Sequence, residues 1–315
     1  MAFKILARLI LSLIDRGEAK PDRGQIDEAL DYFLRALKGR PGDPALLRNM
    51  ADVLVMKRRY RDALPIYLKA AELSPADQEI HKFLAGVHFR LGEKERGREV
   101  MRAFFRDHPL KERPEAGNAK PAILKIRSMD GTKCLLVEAP NKPPRVRFRG
   151  GHFAISHLLP KNRYRVHDWT IAENNINRRD DVPAHDLILN TIADPDIERR
   201  SLIALSDYLK SRPRVPIVNH PDRVLETARD DNYRRLKAIV GVVFPRTVRF
   251  RREGAPPGAV VARIGAMGFD YPIVVREVGT HTGSTVALVR DAAELYSYFA
   301  YTDGESFYLI EFVDE

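Results

Sequence analysis

The chain has 315 residues, 44% of them hydrophobic and 30% charged, with a formal net charge of +10. This composition is sufficient for two or three domains with real hydrophobic cores. The single cysteine, Cys134, excludes an intramolecular disulfide and a zinc site of cysteine ligands, which favours a cytoplasmic location. Its apolar surroundings favour a buried thiol over a nucleophile. The apolar run 5–14 is short and interrupted by charge, so we predict neither a signal peptide nor a membrane span.

Three prolines, Pro41, Pro75 and Pro109, recur at intervals of 34 residues, the period of the tetratricopeptide repeat. Small residues precede them where two helices would cross, and large residues follow four positions later: Ala29, Ala63 and Gly97, then Phe33, Tyr67 and Met101. Residues 1–109 therefore resemble the tetratricopeptide repeat family, with an imperfect first repeat as a cap. The resemblance implies antiparallel helix pairs whose first helices line a concave face that binds a peptide or protein.

After residue 109 the pattern changes. Residues 110–121 are rich in proline and charge and are predicted as a linker. Residues 122–218 are predicted as an α/β domain. Within it we expect a β-hairpin of 122–127 with 133–138 around Asp130-Gly131, a buried strand at 186–190 and a helix from about 196 to 209. The fold class is thus a helical-repeat solenoid followed by α/β structure.

Residues 271–284 have the pattern of an apolar strand that delivers one cation to a loop of glycines and hydroxyls. Gly279 and Gly283 would let successive backbone N–H groups turn toward one anion, and Arg276 would supply a permanent positive charge. Further donors are available in the loop at Thr280, His281, Thr282 and Ser284. The pattern predicts a phosphate-binding loop, although an ordinary hairpin loop has a similar composition.

Five segments in order, at 215–221, 231–236, 244–247, 271–284 and 307–313, resemble the motifs of the ATP-grasp family, closest to its glutathione synthetase and D-alanine ligase branch. The resemblance covers roughly residues 186–315, and residues 219–315 are predicted as a partial ATP-grasp lobe. It implies that Arg276 and Arg234 stand where the family has two phosphate-binding lysines. Arginine keeps the charge but presents a planar fork. Glu277 would add negative charge near the phosphates, and the adenine hinge is implied at Glu311, Phe312 and Val313.

The resemblance implies an ATP-dependent carboxylate–amine ligase whose helical repeats recruit a peptide or protein substrate. In the family the Mg2+ ligands come from a lobe after the hinge, so we expect Mg2+ only with such a lobe, and we expect the chain as given not to complete a ligation. Catalytic residues stay unassigned. The alternative, favoured by the replacement of both lysines, is a non-catalytic interaction scaffold with a degenerate grasp-like domain.

The positive net charge is also compatible with binding to nucleic acid. Arg145, Arg147 and Arg149 alternate along one predicted strand and could follow a phosphate backbone. An edge strand that is protected by charges looks the same. Because acidic residues are interleaved through most of the chain, we do not expect a nucleic-acid partner.

Overall fold

The computed structural model describes residues 23–112, 121–138, 144–150, 153, 155, 158–160, 163–171, 176, 182–211, 215–280, 283 and 285–314. The chain forms two compact units. The first extends to Ile192 and also includes Asp207–Val218, and the second comprises Ala193–Ser206 and Asn219–Glu315. The predicted N-terminal helix around residues 5–13 lies outside the described residues. Helical repeats followed by mixed α/β structure confirm the predicted fold class.

Five helices open the described chain: α1 (Arg23–Gly39), α2 (Pro44–Met56), α3 (Tyr60–Leu73), α4 (Gln78–Arg90) and α5 (Lys94–Asp107). Two aspartates at equivalent repeat positions cap the first helices of the pairs. Asp43 Oδ1 accepts hydrogen bonds from the N–H groups of Ala45 and Leu46 at 3.0 and 3.1 Å, and Asp77 caps α4 in the same way. In the described part of the chain, no helix has the length and apolarity needed to cross a bilayer.

The packing of these helices confirms the tetratricopeptide prediction. Ala63, Tyr67 and Met101 are fully buried. Gly97 occupies the small position of the last pair, and a Cβ atom there would lie 2.5 Å from Cδ2 of Phe89 and 2.9 Å from the carbonyl oxygen of Ala85. The small residues therefore mark the places where paired helices approach most closely.

The first unit also contains a five-stranded sheet in the order β1-β5-β2-β6-β7, formed by β1 (Leu110–Glu112), β2 (Ala122–Ser128), β5 (Arg165–Ile171), β6 (Leu187–Asn190) and β7 (Ile217–Val218). Strands β5, β2, β6 and β7 are parallel, and β1 is antiparallel to β5. The start of the predicted linker is thus a strand. The helix predicted near 196–209 is α6 (Arg199–Lys210).

The predicted hairpin of 122–127 with 133–138 is wrong. The strands exist, but β3 (Lys133–Val137) pairs with β4 (Arg145–Arg149) in a separate antiparallel sheet. The reason is that Ile123, Leu124 and Ile126 in β2 are all buried, which suits a central strand of a parallel sheet covered on both faces. The Asp130-Gly131 turn therefore redirects the chain without pairing the strands on either side.

The second unit is built on a four-stranded antiparallel sheet in the order β10-β9-β11-β8. Its strands are β8 (Thr247–Arg251), β9 (Ile273–Glu277), β10 (Val286–Val289) and β11 (Ser306–Glu311). Its helices after α6 are α7 (Pro221–Leu225), α8 (Arg229–Leu236), α9 (Pro257–Gly265) and α10 (Ala292–Ala300). One face of the sheet packs with α9 and α10 in a hydrophobic core. The opposite face, called the outer face below, carries the polar side chains considered next.

Candidate phosphate-binding face

Three polar side chains form a row across the outer face. The strand register places Tyr308 of β11 directly opposite Arg249 of β8 on one side and Arg276 of β9 on the other. Side chains alternate between the two faces of a strand, so these three point away from the core residues Val275 and Phe307. Directly opposed residues have Cβ atoms about 4.5–5.5 Å apart. The sheet thus concentrates two guanidinium groups and one phenol on a small area.

Arg249 and Tyr308 are held by two carboxylates. Arg249 donates hydrogen bonds to the Tyr308 hydroxyl at 2.6 Å, to Asp230 at 3.3 Å and to Asp196. The Tyr308 hydroxyl donates to Asp196 at 2.6 Å. Burial, with the hydrogen bond to Asp196 and its charge, raises the pKa of Tyr308 well above its usual range. Burial alone would lower the pKa of Arg249, but the hydrogen bond to Asp196 and its charge raise it overall. The charge of Arg249 is therefore compensated inside the fold.

Arg276 is different, because it is half-buried and makes no ion pair within the described residues. Its guanidinium donates to the backbone carbonyl of Thr280 in the following loop. Burial and the positive charge of Arg229 lower the pKa of Arg276, against the opposing influence of Asp194 and Tyr308. Because arginine remains charged in proteins, this half-buried guanidinium keeps its positive charge beside that of Arg229. An anion bound there would be stabilised.

Arg229 is the second cation at this place, and sequence reasoning missed it. It is the first residue of α8, it is exposed, and it has no ion pair in the part of the chain that the structure describes. A cation at a helix N-terminus opposes the helix dipole, and this unfavourable placement is the sequence signal that could have found it. The predicted Arg234 instead lies on the same helix with a side chain 61% exposed, paired with Asp231 and, at 3.7 Å, with Asp230.

The loop after β9 uses both predicted glycines at positive φ. Gly279 has φ of +78° and Gly283 of +74°, a region that other residues rarely adopt. Space is also limited at Gly279, where a Cβ atom would lie 3.1 Å from Cγ1 of Ile197. The hydroxyl of Thr280 donates to the Glu277 carbonyl at 2.7 Å and is 2.8 Å from the Thr285 hydroxyl. His281, Thr282 and Ser284 lie outside the described residues.

Glu277 does not add charge to the outer face as expected. It lies opposite Phe307 in the register and therefore points to the other face from Arg276. Its carboxylate lies beside Gly304, and burial together with this negative charge raises the pKa of Tyr298 to about 12. The expectation failed because β9 continues through residue 277, so that neighbouring residues alternate between faces.

The predicted hinge lies at the end of β11. The N–H of Glu311 donates to the carbonyl of Arg246 at 2.8 Å, and Phe312 and Val313 follow the strand with 38% and 46% of their surface exposed. Glu311 pairs with Ile273, which is three residues along β9 from Arg276, roughly 10 Å at the rise of an antiparallel strand. The structure thus brings Arg276, Gly279 and Thr280 together and places the hinge segment farther along the same sheet.

Comparison with known proteins identifies the N-terminal part of the chain. The family model described as tetratricopeptide repeat matches residues 14–78 and 48–112, so this part is a tetratricopeptide-repeat region. An inactive TPR repeat-containing thioredoxin of Arabidopsis thaliana is 37% identical over 76 residues, 24% of this chain and 11% of that protein. A second TPR repeat-containing thioredoxin of the same plant is 32% identical over 85 residues, 27% of this chain and 12% of that protein. The chain therefore spans about a tenth of the length of these relatives.

Similar solved structures include three ATP-grasp proteins or ligases. The ATP-grasp RimK-domain protein of Sphaerobacter thermophilus is 18% identical, with 48% of this chain and 55% of that chain covered and a TM-score of 0.31. The D-Ala:D-Ser ligase VanG of Enterococcus faecalis is 12% identical, with 62% and 63% covered and a TM-score of 0.37. The D-alanine–D-alanine ligase of Helicobacter pylori is 16% identical, with 42% and 39% covered and a TM-score of 0.29. TM-scores below 0.5 do not define a shared fold, so the second unit is characterised by its own strands and side chains.

Proposed function

We propose that the second unit binds the phosphates of ATP on its outer face, between Arg276, Arg229 and the loop that contains Gly279. The half-buried, positively charged guanidinium of Arg276 carries this proposal. Its guanidinium is half-buried, lies near a second arginine and makes no ion pair with a described carboxylate. Such a group is costly to bury unless a counter-charge is supplied. Phosphate supplies that charge and matches the planar guanidinium with paired oxygen acceptors.

The distances on the sheet support a nucleotide over free phosphate. The hinge segment at residues 311–313 begins roughly 10 Å from Arg276 along the sheet, a span suited to an extended nucleotide with its phosphates at one end and its base at the other. Phe312 and Val313 present exposed apolar side chains at the base end. No backbone–backbone hydrogen bond to another described residue occupies their peptide groups, which leaves these groups available to a purine edge.

The activity that we propose for this arrangement is that of an ATP-dependent carboxylate–amine ligase, with the tetratricopeptide region binding a peptide or protein. To catalyse the transfer of a phosphoryl group to a carboxylate, a protein mainly needs positive charges and hydrogen-bond donors at fixed positions. Arg276 and Arg229 would hold the phosphates in that reaction. Among the described residues no group of three or more His, Cys, Asp or Glu side chains is placed to hold a metal ion, so no step is assigned to Mg2+ here.

Calorimetric titration with ATP and with adenosine tests the proposal. Arg276→Ala should weaken ATP binding about tenfold or more and leave adenosine binding within about twofold, since a charge-assisted hydrogen bond contributes about 1.5–3 kcal/mol. Arg276→Lys should be milder because it keeps the charge. Arg290→Ala is the control. This arginine follows the end of β10 that lies farther from Arg276, its side chain is 66% exposed, and it pairs with Glu294.

A second pair of variants tests which arginine binds phosphate together with Arg276: Arg229, as proposed from the structure, or Arg234, as implied by the sequence resemblance. Arg229→Ala should weaken ATP binding, whereas Arg234→Ala should change it less than about twofold, because Arg234 already pairs with Asp230 and Asp231. The reverse result would restore Arg234 as the phosphate-binding residue. Equal losses of ATP and adenosine binding in Arg276→Ala would show that Arg276 supports the fold and not the phosphates, and no ATP binding by the unaltered chain would favour the scaffold alternative.

A further inference from the structure

The hairpin formed by β3 and β4 covers part of the face that the repeats would use to bind a partner. It packs against α4, the first helix of the last described pair, at Gly86. A Cβ atom on Gly86 would lie 3.2 Å from Cγ2 of Val146 and 3.6 Å from Cβ of Leu136. Cys134 of the same hairpin is fully buried. First helices are the ones that the sequence predicts to line the concave face, so at the last repeat this face is filled by the chain itself.

One carboxylate fastens the hairpin to the repeats. Glu138, directly after β3, accepts a hydrogen bond from the Tyr60 hydroxyl at 2.5 Å. The same carboxylate is 3.8 Å from the guanidinium of Arg90 and 4.0 Å from that of Arg58. Burial, together with Glu138, raises the pKa of Tyr60, which keeps its hydroxyl protonated as a donor. With this pairing and the apolar contacts, the surface presented to solvent is the outward face of the hairpin.

That outward face is cationic. Along β4 the side chains alternate between exposed and half-buried positions, and the exposed ones are all arginines. The antiparallel register places Lys133 opposite the last of them, and places Leu135 and Val137 opposite the other two. None of the four cations forms an ion pair within the described residues. The cationic face therefore consists of Lys133, Leu135, Val137, Arg145, Arg147 and Arg149.

We propose that this cationic face docks an acidic peptide in an extended conformation. Cations at alternate positions of a strand repeat every 6.6–6.8 Å or so, which is the spacing of alternate side chains in an extended peptide, so carboxylates at every second residue can each meet one arginine. Leu135 and Val137 offer apolar contact to the partner as well. The cationic face fits single-stranded nucleic acid less well than an acidic peptide, because nucleic-acid binding relies on exposed aromatic rings for base stacking. Phe148, the aromatic side chain of this hairpin, faces inward between Lys82 and Arg127.

Fluorescence anisotropy with a labelled 12-residue peptide of alternating Glu and Val tests this proposal on the full chain. The triple substitution of Arg145, Arg147 and Arg149 by Ser should weaken peptide binding about tenfold or more at low salt, since each exposed ion pair contributes a few-fold at most. Binding by the unaltered chain should fall steeply as salt is added. The single change Arg147→Glu gives a second measure, and it should weaken binding by several-fold with an unchanged circular dichroism spectrum.

The control triple replaces Arg35, Arg59 and Lys69 by Ser. It removes the same charge from exposed positions on the repeats, and it should leave peptide affinity within about twofold. Equal weakening by both triple substitutions would mean that peptide affinity depends only on net charge, and it would overturn the proposal. Peptide binding that is insensitive to the arginines of β4, or absent at millimolar peptide, would overturn it as well. A labelled 12-residue oligothymidine provides the last test: binding tighter than that of the peptide, and lost with the same arginines, would make nucleic acid the occupant.

Discussion

Replacing Gly97 by alanine tests whether the small position of the last helix pair is a tight helix crossing. Alanine in a helix is favoured over glycine by about 0.8–1.0 kcal/mol, and alanine occupies the equivalent position in the other repeats. At Gly97, however, the new methyl group would lie 2.5 Å from the Phe89 ring and 2.9 Å from the Ala85 carbonyl oxygen, a backbone atom of a buried residue. Overpacking of this kind costs about 1–3 kcal/mol. We therefore expect a net loss of up to about 2 kcal/mol in the free energy of unfolding.

Urea unfolding followed by circular dichroism at 222 nm measures this change. Gly39→Ala is the control, because a methyl group there meets nothing within 4 Å at the end of α1, and it should be neutral or stabilising by up to about 1 kcal/mol. Gly97→Ala should therefore lower the unfolding midpoint, whereas Gly39→Ala should leave it unchanged or raise it. If Gly97→Ala stabilises the protein as much as Gly39→Ala, α4 and α5 do not approach each other closely at Gly97.

Three further changes test the packing around the same elements. Ala63→Leu should cost about 1–3 kcal/mol of unfolding free energy by overpacking a fully buried crossing, and a urea midpoint equal to that of the unaltered chain would contradict this. Tyr308→Phe should cost about 1–3 kcal/mol, because Asp196 and Arg249 lose a buried hydroxyl partner; thermal unfolding would show it, and an unchanged midpoint would mean that the hydroxyl is dispensable. Burial raises the pKa of Cys134 to about 12, so at pH 8 the thiolate should be almost absent and a disulfide reagent should label the native protein far more slowly than the urea-unfolded chain. Rapid native labelling would refute the burial of Cys134.

Periodic features of the sequence predicted the fold well where local spacing decides it. The prolines at 41, 75 and 109 set the repeat, because each lies two residues past the end of a helix, where proline prevents the helix from continuing. Small residues mark helix crossings in every repeat. Gly279 and Gly283 likewise adopt the positive φ that glycine permits in a tight loop, as their place in the loop pattern predicted. By contrast, the partners of β2 in the sheet could not be predicted from local spacing, because they are distant in sequence. Its neighbours β5 and β6 are far along the chain, and no local pattern told that pairing apart from a hairpin with β3.

The candidate site could be predicted only in part from the sequence, because some of its residues come from segments that are distant along the chain. Arg276 and its loop are one continuous segment, so their proximity could be predicted. The opposition of Tyr308 to both Arg249 and Arg276 depends on the register of three strands, and the approach of Arg229 depends on where α8 begins. The family resemblance implied Arg234, whereas the helix turns that side chain toward its own acidic residues.

A crystal structure of the chain with a non-hydrolysable ATP analogue would show whether Arg276 binds the phosphates. We expect phosphate oxygens about 2.7–2.9 Å from the guanidinium nitrogens of Arg276, with Arg229 within ion-pair distance and the base toward residues 311–313. We also expect Arg276 to give up at least part of its hydrogen bonding to the Thr280 carbonyl. An analogue bound elsewhere on the chain, or bound with its phosphates in contact with Arg234 and not with Arg276, would contradict the proposal.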